Sequence, residues 1–398
     1  MPLKHSIATL LTLFATLAHA QATEDSARYT HFFGARYDVG KVMQTNVFLE
    51  SRGIKRYNSG LLKFGWQTLG VKEWERAHNL PSFGIGLGTA RLDNKSEIGQ
   101  PWSLFGFFDG TIARFGGHAI TYDVEAGVAW GWKCYNEKTA PENIAVGSKM
   151  TCRMGVGLDY SYTIADRWKV GLGAGFTHYS NGAVRKPNKG VNLAHAHVNM
   201  AYMLEKRPLP KVTKPTPKLK GNEIDVTLGY GRKSFEVDTI SHPEAHGQLY
   251  KPGAKYNSWT LQCQFLHQYC HKGKYGIGAS VLYDELTCSD VRLRDDGDVD
   301  VILGPASKRY WWGVFAAHEF CIGQLAVVTQ MGYYLHRPSG IQHPRQHKDV
   351  SFQRAGLKYT LPFGMHAGVN IYAHRLTVAD FIEWNLGYSL KLKSRRQS

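Results

Sequence analysis

The sequence predicts an all-β protein: a transmembrane antiparallel β-barrel in which an eight-strand unit is duplicated. The copies form either two tandem barrels or one sixteen-strand barrel. Three observations carry this. Stretches of the 398-residue chain alternate strictly between apolar and small or polar residues, a period of two that belongs to strands. Glycine is abundant at 42 residues, and it falls on one face of that alternation. Past residue 20 no apolar run reaches 18 residues, which excludes a bundle of membrane helices. An aromatic content of 12% excludes a disordered chain.

Residues 1–20 read as a secretory signal peptide. Lys4 and His5 form a short basic start, Ile7 to Leu17 is almost wholly apolar, and Ala18-His19-Ala20 is a small-x-small cleavage site. The mature chain then lies where thiols can oxidise. Of the cysteines at 134, 152, 263, 270, 288 and 321, Cys134 and Cys152 flank one loop at the facing ends of two strand-like runs, so a disulfide stapling that hairpin is expected. Cys263 and Cys270 have no zinc-like spacing with the others.

The first unit spans residues 21–205. Phe83, Ile85 and Leu87 alternate with Gly84, Gly86 and Gly88. Tyr122, Val124, Ala126, Val128 and Trp130 alternate with Asp123, Glu125, Gly127 and Ala129. Met154, Val156, Leu158 and Tyr160 alternate with Gly155, Gly157, Asp159 and Ser161. A soluble sandwich would also alternate, but its polar face would be rich in Lys and Glu. A glycine-rich, acidic face suits the narrow interior of a small barrel, with the apolar face toward lipid.

Residues 206–221 are a basic, Pro-rich linker, extended by composition. Alternation resumes in a second unit, 222–398, that repeats the first in outline. Tyr57-Asn58-Ser59 recurs as Tyr256-Asn257-Ser258, Pro81 to Ala90 resembles Tyr275 to Val281, and Phe107 to Gly110 resembles Val314 to Ala317. Asn385-x-Gly387-x-x-Leu390-x-Leu392 resembles the last strand of outer-membrane barrels, except that a polar tail follows it.

One segment carries chemistry. Val170, Leu172, Ala174, Phe176, His178 and Ser180 share a face, opposite Gly171, Gly173, Gly175, Thr177 and Tyr179. His178 and Ser180 are therefore adjacent at the end of a lipid-facing stripe, where a merely structural barrel would place an aromatic. A serine needs a base within hydrogen-bond reach, and the base needs a third group to hold its ring. Read so, Ser180 attacks an ester and His178 takes its proton. A polar strand end followed by a turn is the alternative.

The longer string decides between them. His178-Tyr179-Ser180-Asn181, followed by Pro187-Asn188-Lys189-Gly190, resembles the signature of the lipid A 3-O-deacylase (PagL) family, His-x-Ser-Asn and then Pro-Asn-x-Gly. The resemblance implies an eight-strand outer-membrane barrel with a His-Ser-Glu triad on its exterior. It implies hydrolysis of the ester-linked 3-O-acyl chain of lipid A, with lipopolysaccharide as partner and no metal or cofactor. The family's glutamate falls at Asn192, which can hold the imidazole tautomer but offers it no full negative charge. Asn192 lies on the outward face of its strand, whereas Asp123, Glu125, Asp159, His195, His197 and Asn199 face the lumen, the last three read as hydrogen-bonders rather than ligands. Asn181, Asn188 and the Gly182 backbone are candidate oxyanion donors.

Arg185, Lys186 and Lys189 are placed to bind lipid phosphates, which gives the +16 net charge a meaning. Nucleic acid is not expected, because the linker holds the only dense basic run and no stacking motif accompanies it. In the second unit His374 should face the lumen with Asp380 and Glu383 nearby and no serine at the matching place, so that unit is expected to be catalytically silent. A catalytically inactive barrel with a structural, pore or lipid-binding role stays open, as does a phospholipase-like barrel, although calcium ligands of that kind are not evident.

Overall fold

The structure, a computed structural model, describes residues 28–206, 221–234, 255–293, 299–338, 350–375 and 378–392. The segment read as a signal peptide and nearly all of that read as a linker lie outside the described residues.

The alternation forms two closed antiparallel barrels of eight strands each, not one barrel of sixteen. The first contains β1 (Tyr29–Val42), β2 (Arg56–Thr68), β3 (Ser82–Leu92), β4 (Gly99–Phe115), β5 (His118–Trp132), β6 (Met150–Ile164), β7 (Trp168–Ser180) and β8 (Val191–Met203). It closes where β1 pairs with β8, from Phe32 opposite Met203 to Val42 opposite Leu193. The second contains β9 (Gly221–Lys233), β10 (Tyr256–Cys270), β11 (Gly273–Asp284), β14 (Tyr310–Ile322), β15 (Leu325–His336), β16 (Ser351–Thr360), β17 (Met365–His374) and β18 (Val378–Leu392). The short pair β12 (Asp290–Leu293) and β13 (Val299–Ile302) stands apart from it as a separate hairpin. The duplicated segments occupy equivalent strands: Tyr57 and Tyr256 lie in the second strand of their barrels, Pro81 to Ala90 and Tyr275 to Val281 at the third, Phe107 and Val314 in the fourth. The strand carrying the terminal signal, β18, closes the second barrel against β9.

Exteriors are apolar and lumens are polar, as the alternation requires. Ile85, Leu87, Val156, Leu158, Leu172 and Val198 are exposed, while Asp123, Glu125 and Arg153 are buried. The first lumen is filled by an ion-pair network on Glu125. It takes Arg36 Nη1 at 3.0 Å, Lys63 Nζ at 3.0 Å and Arg153 Nη2 at 2.6 Å. The Arg153 guanidinium also stacks 4.1 Å from the Phe105 ring centre. In the second lumen Arg354 meets Glu383 at 3.3 Å, and His366 meets Asp225 at 2.9 Å. Tyr372 stacks nearly parallel on Phe352 and on Phe381, at 5.5 and 4.9 Å. Lumens packed in this way with charges and rings do not suit an open pore.

At the long-loop end of the first barrel an apolar cap seals the lumen. It joins Phe48 and Leu49 from the short helix Val47–Ser51 to Trp132, Ala145, Val146, Tyr179, Val191 and Leu193. Burying these side chains contributes about 1.5–3 kcal/mol for each large one, and it fixes the ends of β7 and β8 from the inside. The Trp132 ring meets Tyr179 edge-on at 5.1 Å.

The expected Cys134–Cys152 disulfide does not form; all six cysteines are free thiols. Cys152 is in register with Ser180 on the outward face of β6 and β7. Cys134 lies beyond the end of β5 and packs against the cap. The two side chains belong to different faces, so a loop that brings the strand ends together does not bring the sulfurs together.

Candidate active site

Strand alternation places His178 and Ser180 on one face of β7, and the pairing with β8 sets Asn192 directly opposite His178. The glycine face of β7 does look into the lumen: a Cβ on Gly175 would meet the His195 ring at 2.7 Å. His178, Ser180 and Asn192 therefore lie outside the barrel wall, above Phe176, Leu172 and Val198.

His178 Nδ1 and Asn192 Oδ1 are 2.5 Å apart. With the amide oxygen as acceptor, Nδ1 carries the proton and Nε2 keeps its lone pair, the tautomer a general base needs. Ser180 Oγ accepts hydrogen bonds from Asn188 Nδ2 at 2.8 Å and from the Gly182 amide at 3.2 Å. Its own proton stays available to a base. No hydrogen bond joins Ser180 to His178 among the described residues.

The loop between β7 and β8 folds back over this face. Gly190 adopts φ +78 and packs against the imidazole, where an added Cβ would lie 3.0 Å from His178 Cε1. Gly182 adopts φ +59, in the left-handed region that disfavours other residues. Ser180 is consequently buried although it faces outward, and the loop residue Asn181 is buried with it.

Of the anticipated oxyanion donors, Asn188 and the Gly182 amide reach Ser180, whereas the Asn181 side chain does not. Its amide donates to Ser148 Oγ at 3.0 Å and to the Arg185 carbonyl at 2.8 Å, so it braces the loop instead. Lys189 and Gly190 donate their backbone amides to the Ile144 and Ala145 carbonyls. Gly147 allows the approach, since a Cβ there would sit 2.3 Å from the Arg185 and Pro187 carbonyl oxygens. Of the three anticipated phosphate-binding cations, Lys189 is exposed, while Arg185 and Lys186 are half-buried.

The second barrel touches the same loop, which the sequence did not signal. Ser234 donates its amide to the Ala183 carbonyl and its hydroxyl to the Val184 carbonyl. Lys255 donates to that same carbonyl and to Ser234 Oγ. The Ile382 side chain fills the space beside Gly182, 2.5 Å from where a Cβ would be. Burial, with the charges of Arg185 and Arg232, pushes the Lys255 ammonium down to about 8. Ile382 is simply one more apolar outward residue in the sequence, and nothing local marks Ser234 or Lys255.

In the second barrel His374 does face the lumen. Its Nε2 lies 3.6 Å from Asp380, which also pairs with Lys233 at 2.8 Å. Glu383 is held by Arg354 and accepts from Thr260.

The family model of lipid A 3-O-deacylase (PagL) matches residues 60–201, and that of the acyloxyacyl hydrolase C-terminal domain matches 222–392. Together they span most of both barrels. Among solved structures, that of the outer membrane enzyme PagL is 17% identical and covers 42% of this chain and 97% of its own, with a TM-score of 0.31. OccK5 (OpdH) of Pseudomonas aeruginosa is 11% identical, covering 92% of this chain and 99% of its own at a TM-score of 0.21. A triple mutant of the Rhodopseudomonas blastica porin is 10% identical, covering 92% and 100% at 0.18. No curated relative matches the chain. With one family model on each barrel and the His-x-Ser-Asn string on the exterior of the first, the chain belongs to the PagL (lipid A 3-O-deacylase) family of outer-membrane β-barrels.

Proposed function

We propose that the chain is a serine esterase that removes the ester-linked 3-O-acyl chain of lipid A in the outer leaflet. The observation that carries the reading is the 2.5 Å contact of His178 Nδ1 with Asn192 Oδ1, beside a serine whose Oγ already receives two hydrogen-bond donors. In this reading His178 Nε2 takes the Ser180 proton as Oγ attacks the ester carbonyl. The protonated ring then returns the proton to the departing sugar hydroxylate, leaving an acyl-enzyme that water hydrolyses. The Gly182 amide and Asn188 Nδ2 re-aim at the oxyanion as it develops. The acyl chain would lie along the outward stripe of Phe176, Leu172 and Val198, in continuity with the lipid. Arg185, Lys186 and Lys189, joined by Lys255 from the second barrel, would attract the lipid A phosphates.

The test compares lipid A from cells expressing the wild type and Ser180→Ala, read by mass spectrometry. Loss of one hydroxyacyl chain with the wild type alone supports the esterase. Unchanged lipid A in both, with protein folded in the outer membrane, overturns it. The outcome would then favour the structural alternative, for which the filled lumens leave a scaffolding or lipid-binding role rather than a pore.

A further inference from the structure

We propose that Asp38, His195 and His197 form a transition-metal site inside the first barrel, of the borderline-soft divalent class that includes Zn²⁺. It is separate from the outward chemistry and does not depend on the esterase reading.

The site follows from register. His195 and His197 are two residues apart on β8, so both enter the lumen. Pairing with β1 sets Asp38 opposite His197. Pairing with β7 sets Gly173 opposite His197 and Gly175 opposite His195. Those glycines leave the space that the rings occupy: a Cβ would lie 2.5 Å from His197 Nε2 and 2.7 Å from His195 Nε2. One donor atom from each of the three residues lies within 4.8 Å of the others. Bonds of about 2.1 Å to a tetrahedral ion need donors about 3.4 Å apart, so small rotations of the rings complete the set.

One of the histidines is also electronically prepared. His197 Nε2 lies 2.8 Å from Asp159 Oδ1 and donates its proton there, so Nδ1 holds the lone pair. Metal-bound histidines are characteristically backed by a carboxylate in this way. His197 Nδ1 and His195 Nδ1 are buried without a hydrogen-bond partner among the described residues, and the residues are only 4% and 7% exposed. An unsatisfied buried polar atom is costly, and an ion between the two nitrogens removes both deficits at once.

Charge permits it. Arg36 Nε pairs with Asp38 at 2.9 Å and opposes a cation locally. Across the lumen Asp38, Asp109, Asp123, Glu125 and Asp159 are met by Arg36, Lys63, Arg114, Arg153 and Lys169, a formal balance, so the two neutral imidazoles supply most of the donor set. A cavity of about 70 Å³ in the same lumen is lined by Gln67, Lys169, Asn199, Arg36 and by Asp159, the carboxylate that holds His197. The bound ion would pin β8 to β1 at the seam that closes the barrel, behind the strand that presents Asn192.

The experiment uses untagged, folded full chain, stripped with chelator and equilibrated with Zn²⁺ alone. One equivalent bound per chain is expected by elemental analysis, with binding at least tenfold weaker in the His195→Gln/His197→Gln double variant and a rise in unfolding temperature that the variant loses. Equal stoichiometry and affinity in a folded double variant, or no bound equivalent in the wild type, overturns the site. Should the double variant fail to fold, Co²⁺ in the wild type decides: intense tetrahedral d–d bands support the site, and weak octahedral bands overturn it. Lipid A deacylation is read separately, so failure of either proposal leaves the other standing.

Discussion

Ser234, the first residue after β9, donates its hydroxyl to the carbonyl of Val184 at 2.9 Å. One residue belongs to the second barrel, and the other sits four positions after the candidate nucleophile. Lys255 reaches the same carbonyl, and Ile382 closes on Gly182. The second barrel, without a serine beside its own histidine, thus acts as a wall for the loop of the first. A loop that must hold Asn188 and Gly182 at Ser180 gains order when its far side is fixed.

The Ser234→Ala/Lys255→Ala double variant is accordingly expected to lower kcat roughly tenfold as the loop loosens, and to raise KM as the Lys255 charge is lost, with both barrels folded. A steady-state assay on detergent-solubilised enzyme with purified lipopolysaccharide measures this. Unchanged kcat would show that the loop holds its shape unaided.

Asn192 gives a prediction of the opposite sign. Asn192→Glu supplies the charge that stabilises the imidazolium, and a rise in activity of about tenfold is expected. Asn192→Leu removes the acceptor that fixes the His178 tautomer and should cost at least about 100-fold. Single-turnover acyl release compares the three proteins.

Glu125 holds three cations in the first lumen. Glu125→Gln leaves Arg36, Lys63 and Arg153 without their shared counter-charge and should destabilise the barrel by about 3–5 kcal/mol. The temperature at which the folded band is lost on a semi-native gel reports the change.

His78 makes the contact between barrels at the short-turn end sensitive to acid. Its Nε2 donates to the Cys321 carbonyl at 2.9 Å, and burial pushes its imidazole down to about 4. The folded state therefore binds fewer protons than the unfolded one between that value and the ordinary 6.5. Stability is full above pH 6.5, falls as pH drops toward about 4, and levels off below, a loss of up to about 3 kcal/mol. His78→Gln keeps a donor without the titration, so its unfolding temperature should vary less over that range.

The free thiols give a simple check. Labelling after unfolding without reductant should modify Cys134 and Cys152 fully, and reductant should leave gel mobility unchanged.

The strands, their faces and the outward placement of His178, Ser180 and Asn192 were legible, because a period of two is local and a lumen accepts only small or paired polar side chains. The roles within the loop were legible only in part. Asn181 and Asn188 have the same chemistry in the sequence, yet one braces Ser148 and the other meets Ser180. The turn between them decides this, and the backbone of loop 143–148 shapes that turn. The disulfide failed for a related reason: proximity along a hairpin says nothing about which face each sulfur takes.

By itself, then, the sequence determined an all-β barrel protein, the duplication of its unit, and the histidine, serine and asparagine on one outward face. Each is written in alternation or in a contiguous motif. Tertiary structure alone decided that sixteen strands close as two rings, since both closures satisfy the same alternation and differ only in whether β8 returns to β1. It likewise decided that Ser234, Lys255 and Ile382 complete the wall of the loop and that Asp38 meets His195 and His197. Such contacts join residues far apart in the chain, and no local pattern encodes them.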